Sequence, residues 1–167
     1  MAFERTRASV DRKLEALGLS AKYKMYRLGR GESWCSERRR VLHINQRDAD
    51  SRMMARQSID HVVLHELGHV FSYENKAKLG RNAKARRLFG NIYKHYRRNM
   101  KPKRNSPDFI STYAQVHPAD NFAEVFGVYV HFGGDMKKVG KFLRSGGKSG
   151  VVMKQFRWLA GFVKQAG

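Results

Sequence analysis

The chain has 167 residues, 41% of them hydrophobic, and carries 34 Lys and Arg against 14 Asp and Glu, a formal net charge of +20 at pH 7. That length suits one domain with a core of its own, and with no run of eighteen apolar residues no membrane span is expected. The opening Met1-Ala2-Phe3-Glu4-Arg5-Thr6-Arg7 lacks the apolar stretch of a secretory signal, and the lone Cys35 has no internal disulfide partner, so a cytoplasmic or otherwise intracellular, reducing location is expected.

In chain order, residues 7–18 predict a short helix with Val10, Leu14 and Leu17 on one side, closed by Gly18. Tyr23 to Leu28 alternates and is bounded by Gly29 and Gly31, which reads as a strand. Ser33 to Ser36 predicts a second strand and Arg40 to Asn45 a third, the clearest of them. Asp48, Asp50 or Ser51 can cap a helix that begins near Arg52 and runs, with a break at Ser58, to about Tyr73. A basic segment, 75–107, reads as one or two helices stopped near Pro102 and Pro107. Ser111 to Gln115 predicts a short extended piece. A helix follows from Pro118 to His131, ended by Gly133-Gly134, and then two amphipathic helices, Met136 to Arg144 and Val151 to Val163.

His65-Glu66-Leu67-Gly68-His69 carries the strongest chemistry. Residues four apart share a helix face, about 6 Å from each other, so two imidazoles can grip one metal ion. The adjacent Glu66 can hold and deprotonate a water on that ion, which is the pattern of a zinc-dependent peptidase. Val62, Val63, Leu64, Leu67, Val70 and Phe71 wrap most of the helix, so it is expected to be buried, and buried His and Glu need partners. Gly68 costs about 1 kcal/mol relative to Ala inside a helix. Its presence predicts another element passing close to the helix near the metal.

A catalytic zinc usually has three protein ligands and an open fourth position. The downstream candidates are Asp120 and Glu124, four apart on one helical face and two of only four acids after Glu74. One carboxylate can bind the metal, and the other can hydrogen-bond a ligating His and orient it.

The run Ser111-Thr112-Tyr113, followed by Asp120-Asn121-Phe122-Ala123-Glu124-Val125-Phe126, makes the pattern more specific. It resembles the second half of a gluzincin-type site, as in the catalytic domain of anthrax lethal factor and a broad set of H-E-x-x-H peptidases. In that family a Tyr is followed seven residues later by the metal-binding Glu. The resemblance covers residues 40 to 132. It implies an α+β, zincin-like fold over 1–167: a small N-terminal β-sheet, the active-site helix and a mostly helical C-terminal half. It implies Zn²⁺ held by His65, His69 and Asp120, with Glu66 as general base, Glu124 behind a ligating His and Tyr113 donating to the oxyanion. It also implies that Arg40 to Asn45 is the sheet edge on which an extended peptide lies. Asp120 departs from the family's Glu. Being one methylene shorter, it requires a closer helix, or else Glu124 is the ligand.

Net charge is the second signal. Asn75 to Pro107 holds no acid and twelve Lys and Arg, with Phe89, Tyr93 and Tyr96 interleaved. Such a stretch can neutralise phosphates, so nonspecific DNA or RNA contact joins a protein or peptide substrate among the expected partners. Leu79, Leu88, Phe89, Ile92 and Tyr96 fall at helical spacing, so these rings are expected in the core. The rival class is a basic, genome-associated or virion-type structural protein whose zinc site is vestigial or structural, with Glu124 as a fourth ligand.

Other candidates are weaker. His61 lies one turn before His65 and can approach the site. His95 as third ligand would resemble a Spartan-like protease of protein–DNA crosslinks, but its spacing from His69 is too long. His117 or His131 can donate a hydrogen bond in the transition state, and His43 is expected to be structural. Cys35 is expected to be a small buried thiol. Gly146-Gly147-Lys148-Ser149 lacks the leading Gly and the preceding strand of a phosphate loop, and reads as a basic turn.

Overall fold

The structure, a computed structural model, describes residues 2–50, 53–56 and 58–166. Among these are seven α-helices and one three-stranded sheet, an α+β arrangement that is mostly helical. Helix α1 spans Ala2–Glu15. The sheet follows, with β1 Lys24–Leu28, β2 Trp34–Ser36 and β3 Val41–Asn45 in the order β1-β3-β2. β1 runs parallel to β3 and β2 antiparallel to it, with Tyr26 and Trp34 both opposite His43. His43 is thus a sheet-surface ring, stacked 3.9 Å from Trp34 and 5.5 Å from Tyr26 between centroids. The expectation of an edge at 40–45 is corrected here. β3 is the central strand, its edges consumed on both sides, and a free edge belongs to β2.

Helix α2 is Ile59–Glu74 and starts later than its apolar pattern predicts. Ser58 caps it, its Oγ accepting the His61 N–H at 3.2 Å. Gln46–Asp50 instead forms a 3-10 turn in which Asp48 accepts the Ser33 N–H at 2.6 Å. Ser51 and Arg52, the other expected cap and start, lie outside the described residues. Along α2, His61 to Gly68 is buried without a break. Leu64 and Val63 are wholly inaccessible, and burial of each contributes about 1.5–3 kcal/mol.

The basic segment is helical only in part. α3 (Lys76–Gly80) and α4 (Ala83–Phe89) are short, and α4 stops at Gly90, whose φ of 84° favours glycine. Residues 90–112 then run irregularly along the molecule, where helix was expected to continue to near Pro102 or Pro107. The expected extended piece at 111–115 is instead a 3-10 turn, Tyr113–Gln115. α5 spans Pro118–His131, with Pro118 in its first turn. α6 (Met136–Ser145) and α7 (Gly150–Ala166) complete the chain. No described helix is long and apolar enough to cross a membrane.

α2 and α5 pack face to face at the centre of the buried core. Around their contact, Phe71 lies 4.9 Å from Phe126 and 6.0 Å from Phe162 of α7, and Phe89 lies 5.3 Å from Phe122. This aromatic cluster fixes the α2–α5 pair on which the site is built.

Candidate metal centre

The two central helices cross where α2 has no side chain. A Cβ on Gly68 would stand 2.8 Å from the Ala123 Cα and 3.1 Å from its carbonyl oxygen. The expected close passage of another element is therefore α5 itself. That approach brings the short Asp120 side chain to the imidazoles. His65 Nε2 and His69 Nε2 are 3.1 Å apart, and Asp120 Oδ1 lies 3.8 Å from the first and 3.4 Å from the second. A tetrahedral zinc site with bonds of about 2.0–2.2 Å has ligand–ligand edges of about 3.3–3.6 Å. Two imidazoles and one carboxylate at these spacings fit a zinc ion, and these three residues can hold a metal. Glu66 follows His65 on α2 and lines the same cleft.

Glu124 lies on the opposite side of His65. Its Oε1 is 2.9 Å from His65 Nδ1 and 2.9 Å from His61 Nε2, and its Oε2 accepts the Ala55 N–H at 2.9 Å. A carboxylate oxygen can only accept, so His65 holds a hydrogen on Nδ1, which leaves Nε2, facing Asp120 and His69, as the nitrogen open to a metal that takes the place of its second proton. Burial alone would raise the Glu124 pKa, but the pull of His61 and His65 holds it well below the usual carboxylate range. Asp120 follows the same balance: burial raises it, and His65 and His69 overcome that and hold it low. Burial likewise pulls His65 down, yet the Asp120 and Glu124 carboxylates raise it to about 10. The two carboxylates therefore stay ionised in a buried site, where they stabilise positive charge, whether a ring proton or a metal ion.

A cleft of about 410 Å³ opens onto this cluster. One wall is the edge strand β2 with Trp34 and Cys35, and another is the irregular segment with Tyr96 and Arg98. The Cys35 thiol is held protonated, first by burial and then by the Glu66 and Glu37 carboxylates. Tyr113 lies against His65 with ring centroids 5.4 Å apart, and burial and Asp120 keep its phenol protonated. Tyr96 donates its O–H to Asp120 Oδ2 at 2.7 Å, leaving Oδ1 toward the imidazoles. Its pKa is raised to about 12 by burial and by that bond, so it remains a donor. Across the mouth, Arg98 makes a two-pronged contact with Glu32, at 3.2 and 2.6 Å.

The family model described as "Putative zinc-binding metallo-peptidase" matches residues 42–154, more than half of the chain. The chain belongs to this zinc-binding metallopeptidase family. The matched stretch includes His65, Glu66, His69, Tyr113, Asp120 and Glu124, while β1 and β2 precede it. No curated protein and no solved structure matches the chain.

The remaining sequence candidates sort around the α2–α5 cluster that could hold such a metal. His117 lines the cleft and caps α5, its Nδ1 accepting the Ala119 N–H at 3.1 Å. His131 sits at the other end of α5 and does not line the cleft, so of the two flanking histidines only His117 faces the site. His95 is exposed and is not part of the metal cluster. Cys35 is only half-buried and touches the cleft. Tyr96 was expected in the core but is 45% exposed and bonded to Asp120. One signal for it was on the page: Gly90 ends the helix that would have carried Tyr96 inward.

Proposed function

We propose that the protein is a zinc-dependent endopeptidase of the H-E-x-x-H type, zincin-like in arrangement, with His65, His69 and Asp120 as metal ligands. The observation that carries this reading is the meeting of His65 Nε2, His69 Nε2 and Asp120 Oδ1 beside Glu66 in an open cleft. Zinc bound there supplies a Lewis acid that polarises the scissile carbonyl and lowers the pKa of its water toward neutrality. Glu66 accepts the water's proton and passes it to the leaving amine. Glu124 sets the tautomer and plane of His65, and Tyr96 fixes which oxygen Asp120 presents. Tyr113, a neutral phenol at the cleft, donates to the developing oxyanion. The free edge of β2 gives an extended peptide a backbone to pair with. The position of Glu124, turned to the far nitrogen of His65, favours an open three-ligand site over a closed structural one.

Glu66→Gln tests the reading. The variant is expected to bind one zinc per chain and to lose peptide hydrolysis by at least about a hundredfold, the low end for removing a general base. Cleavage at the parent rate would show that Glu66 is not the base.

A second role, polyanion contact, is supported by one specific feature. All twelve Lys and Arg between Lys76 and Arg104 are exposed, with no acid among them. The chain stripped of metal is expected to bind duplex DNA with an affinity that falls steeply as salt rises. No binding at low salt would remove this role and leave the peptidase reading intact.

A further inference from the structure

We propose that His61 is a positioning residue of the metal centre: it clamps Glu124, and through Glu124 it fixes the ring of His65. The proposal rests on the metal-site reading above and names a residue outside the H-E-x-x-H motif as part of it. Three observations carry it.

First, one carboxylate oxygen serves two rings. Glu124 Oε1 is 2.9 Å from His61 Nε2 and 2.9 Å from His65 Nδ1, and the Ala55 N–H takes Oε2. Glu124 and His61 are both wholly inaccessible. Three donors from two segments leave the carboxylate one orientation. With His61 gone it keeps one donor on each oxygen and is free to rock, carrying His65 with it.

Second, the His61 ring has no other hydrogen bond among the described residues: its Nδ1 is buried and finds no partner there. An aliphatic side chain would fill the same space without burying an idle nitrogen, so packing alone does not account for histidine. The contact with Glu124 does.

Third, α5 is built around the ring. A Cβ at Gly127 would lie 3.0 Å from His61 Cε1 and 3.3 Å from its Nδ1. A glycine in the middle of a buried helix weakens that helix, and here it clears the volume that the imidazole occupies. Gly68 and Gly127 thus do different jobs on the same helix pair. The first lets the backbones approach, and the second admits the ring that holds Glu124.

The test is equilibrium zinc binding by competition with a chromophoric chelator, on the full chain. His61→Phe keeps the ring volume and removes the N–H; it is expected to weaken zinc binding about tenfold, the low end for outer partners of ligating histidines. His61→Gln restores a donor and is expected to stay within about threefold of the parent. In a Glu124→Met background, which offers neither ring a carboxylate or amide oxygen, His61→Phe is expected to have no further effect, because its route to the metal is already cut. Parental affinity in His61→Phe, equal losses in the Phe and Gln variants, or an undiminished His61→Phe effect in the Glu124→Met background would each overturn the proposal. Where His61→Phe does not fold, Gly127→Ala presses on the ring instead, and parental zinc affinity there overturns it. A parent chain that binds no zinc defeats the metal-site reading itself, a different failure from a parent that binds zinc and ignores His61.

Discussion

The two walls of the cleft are built in opposite ways. The α2–α5 wall is buried, regular and tightly crossed, with Gly68 against Ala123 and the proposed ligand side chains pointing from fixed helical positions. The 90–112 wall is irregular and mostly exposed, anchored by the buried Ile92 and Ile110, and reaches the site through single side chains, Tyr96 on Asp120 and Arg98 on Glu32. The difference teaches where each kind of tolerance lies. Changes in the helix pair strike the fold and the metal geometry together, because the same packing holds both. Changes at the exposed side chains of the irregular wall strike the site and leave the core alone.

Gly68→Val breaks this division most severely. Its first new carbon would already lie 2.8 Å from backbone, which cannot swing aside as a side chain can. A loss of about 3 kcal/mol in stability, the upper range for overpacking, is expected, with zinc affinity falling in parallel. Urea unfolding and chelator competition measure the two. Unchanged zinc affinity in a destabilised Gly68→Val chain would mean that the crossing does not set the ligand geometry.

Tyr96→Phe sharpens the contrast from the other side. It deletes one O–H from a half-exposed ring. Stability is expected to move by less than about 0.5 kcal/mol, as for surface substitutions. Zinc affinity is expected to drop by up to about tenfold, since Asp120 loses the bond that orients it. A chain that loses stability but keeps its zinc affinity would reverse the roles assigned to the two walls.

The smallest effect on the metal site lies at the far end of α5. Burial, with Arg56 and Lys13 nearby, lowers the His131 pKa from 6.5 to about 4. The folded value lies below the unfolded one, so the unfolded chain takes up this proton first. The stabilisation is present above pH 6.5 and is lost as the pH falls through about 4. His131→Phe is expected to flatten the stability profile across that window without altering cleavage at neutral pH. An unchanged profile would show that His131 is not the group being titrated.

Much of the helix-pair wall was legible in the residues, for physical reasons. Pro118 in the first turn and Gly133-Gly134 after the last mark both ends of α5, and the observed span is Pro118–His131. Gly68 pointed to a close crossing before any partner was known, because a buried helical glycine needs a reason. The start of α2 was misread because acidic residues near 48–50 look like caps, whereas Ser58 makes the bond and Asp48 serves Ser33 instead. The irregular wall was misread because Leu88, Ile92 and Tyr96 repeat at helical spacing although Gly90 turns the chain at φ 84°. The edge strand was misplaced because a three-residue strand such as β2 carries little periodic signal, while the stronger pattern of β3 marks a buried central strand. Within the site, the imidazole pair followed from helical geometry. That Asp120 reaches the imidazoles while Glu124 stands behind His65 was implied only by the family register counted from Tyr113; helical periodicity alone left the two carboxylates open, because it does not encode the spacing between helices.

The account stands on a metal gripped jointly by α2 and α5. Its most direct test is zinc content and affinity, measured by atomic emission and chelator competition, for the parent and for Asp120→Ala. The parent is expected to bind one zinc per chain, and Asp120→Ala to lose it at chelator concentrations the parent withstands. Zinc retained by Asp120→Ala at parental affinity would contradict the account, because α5 would then contribute no ligand from that position.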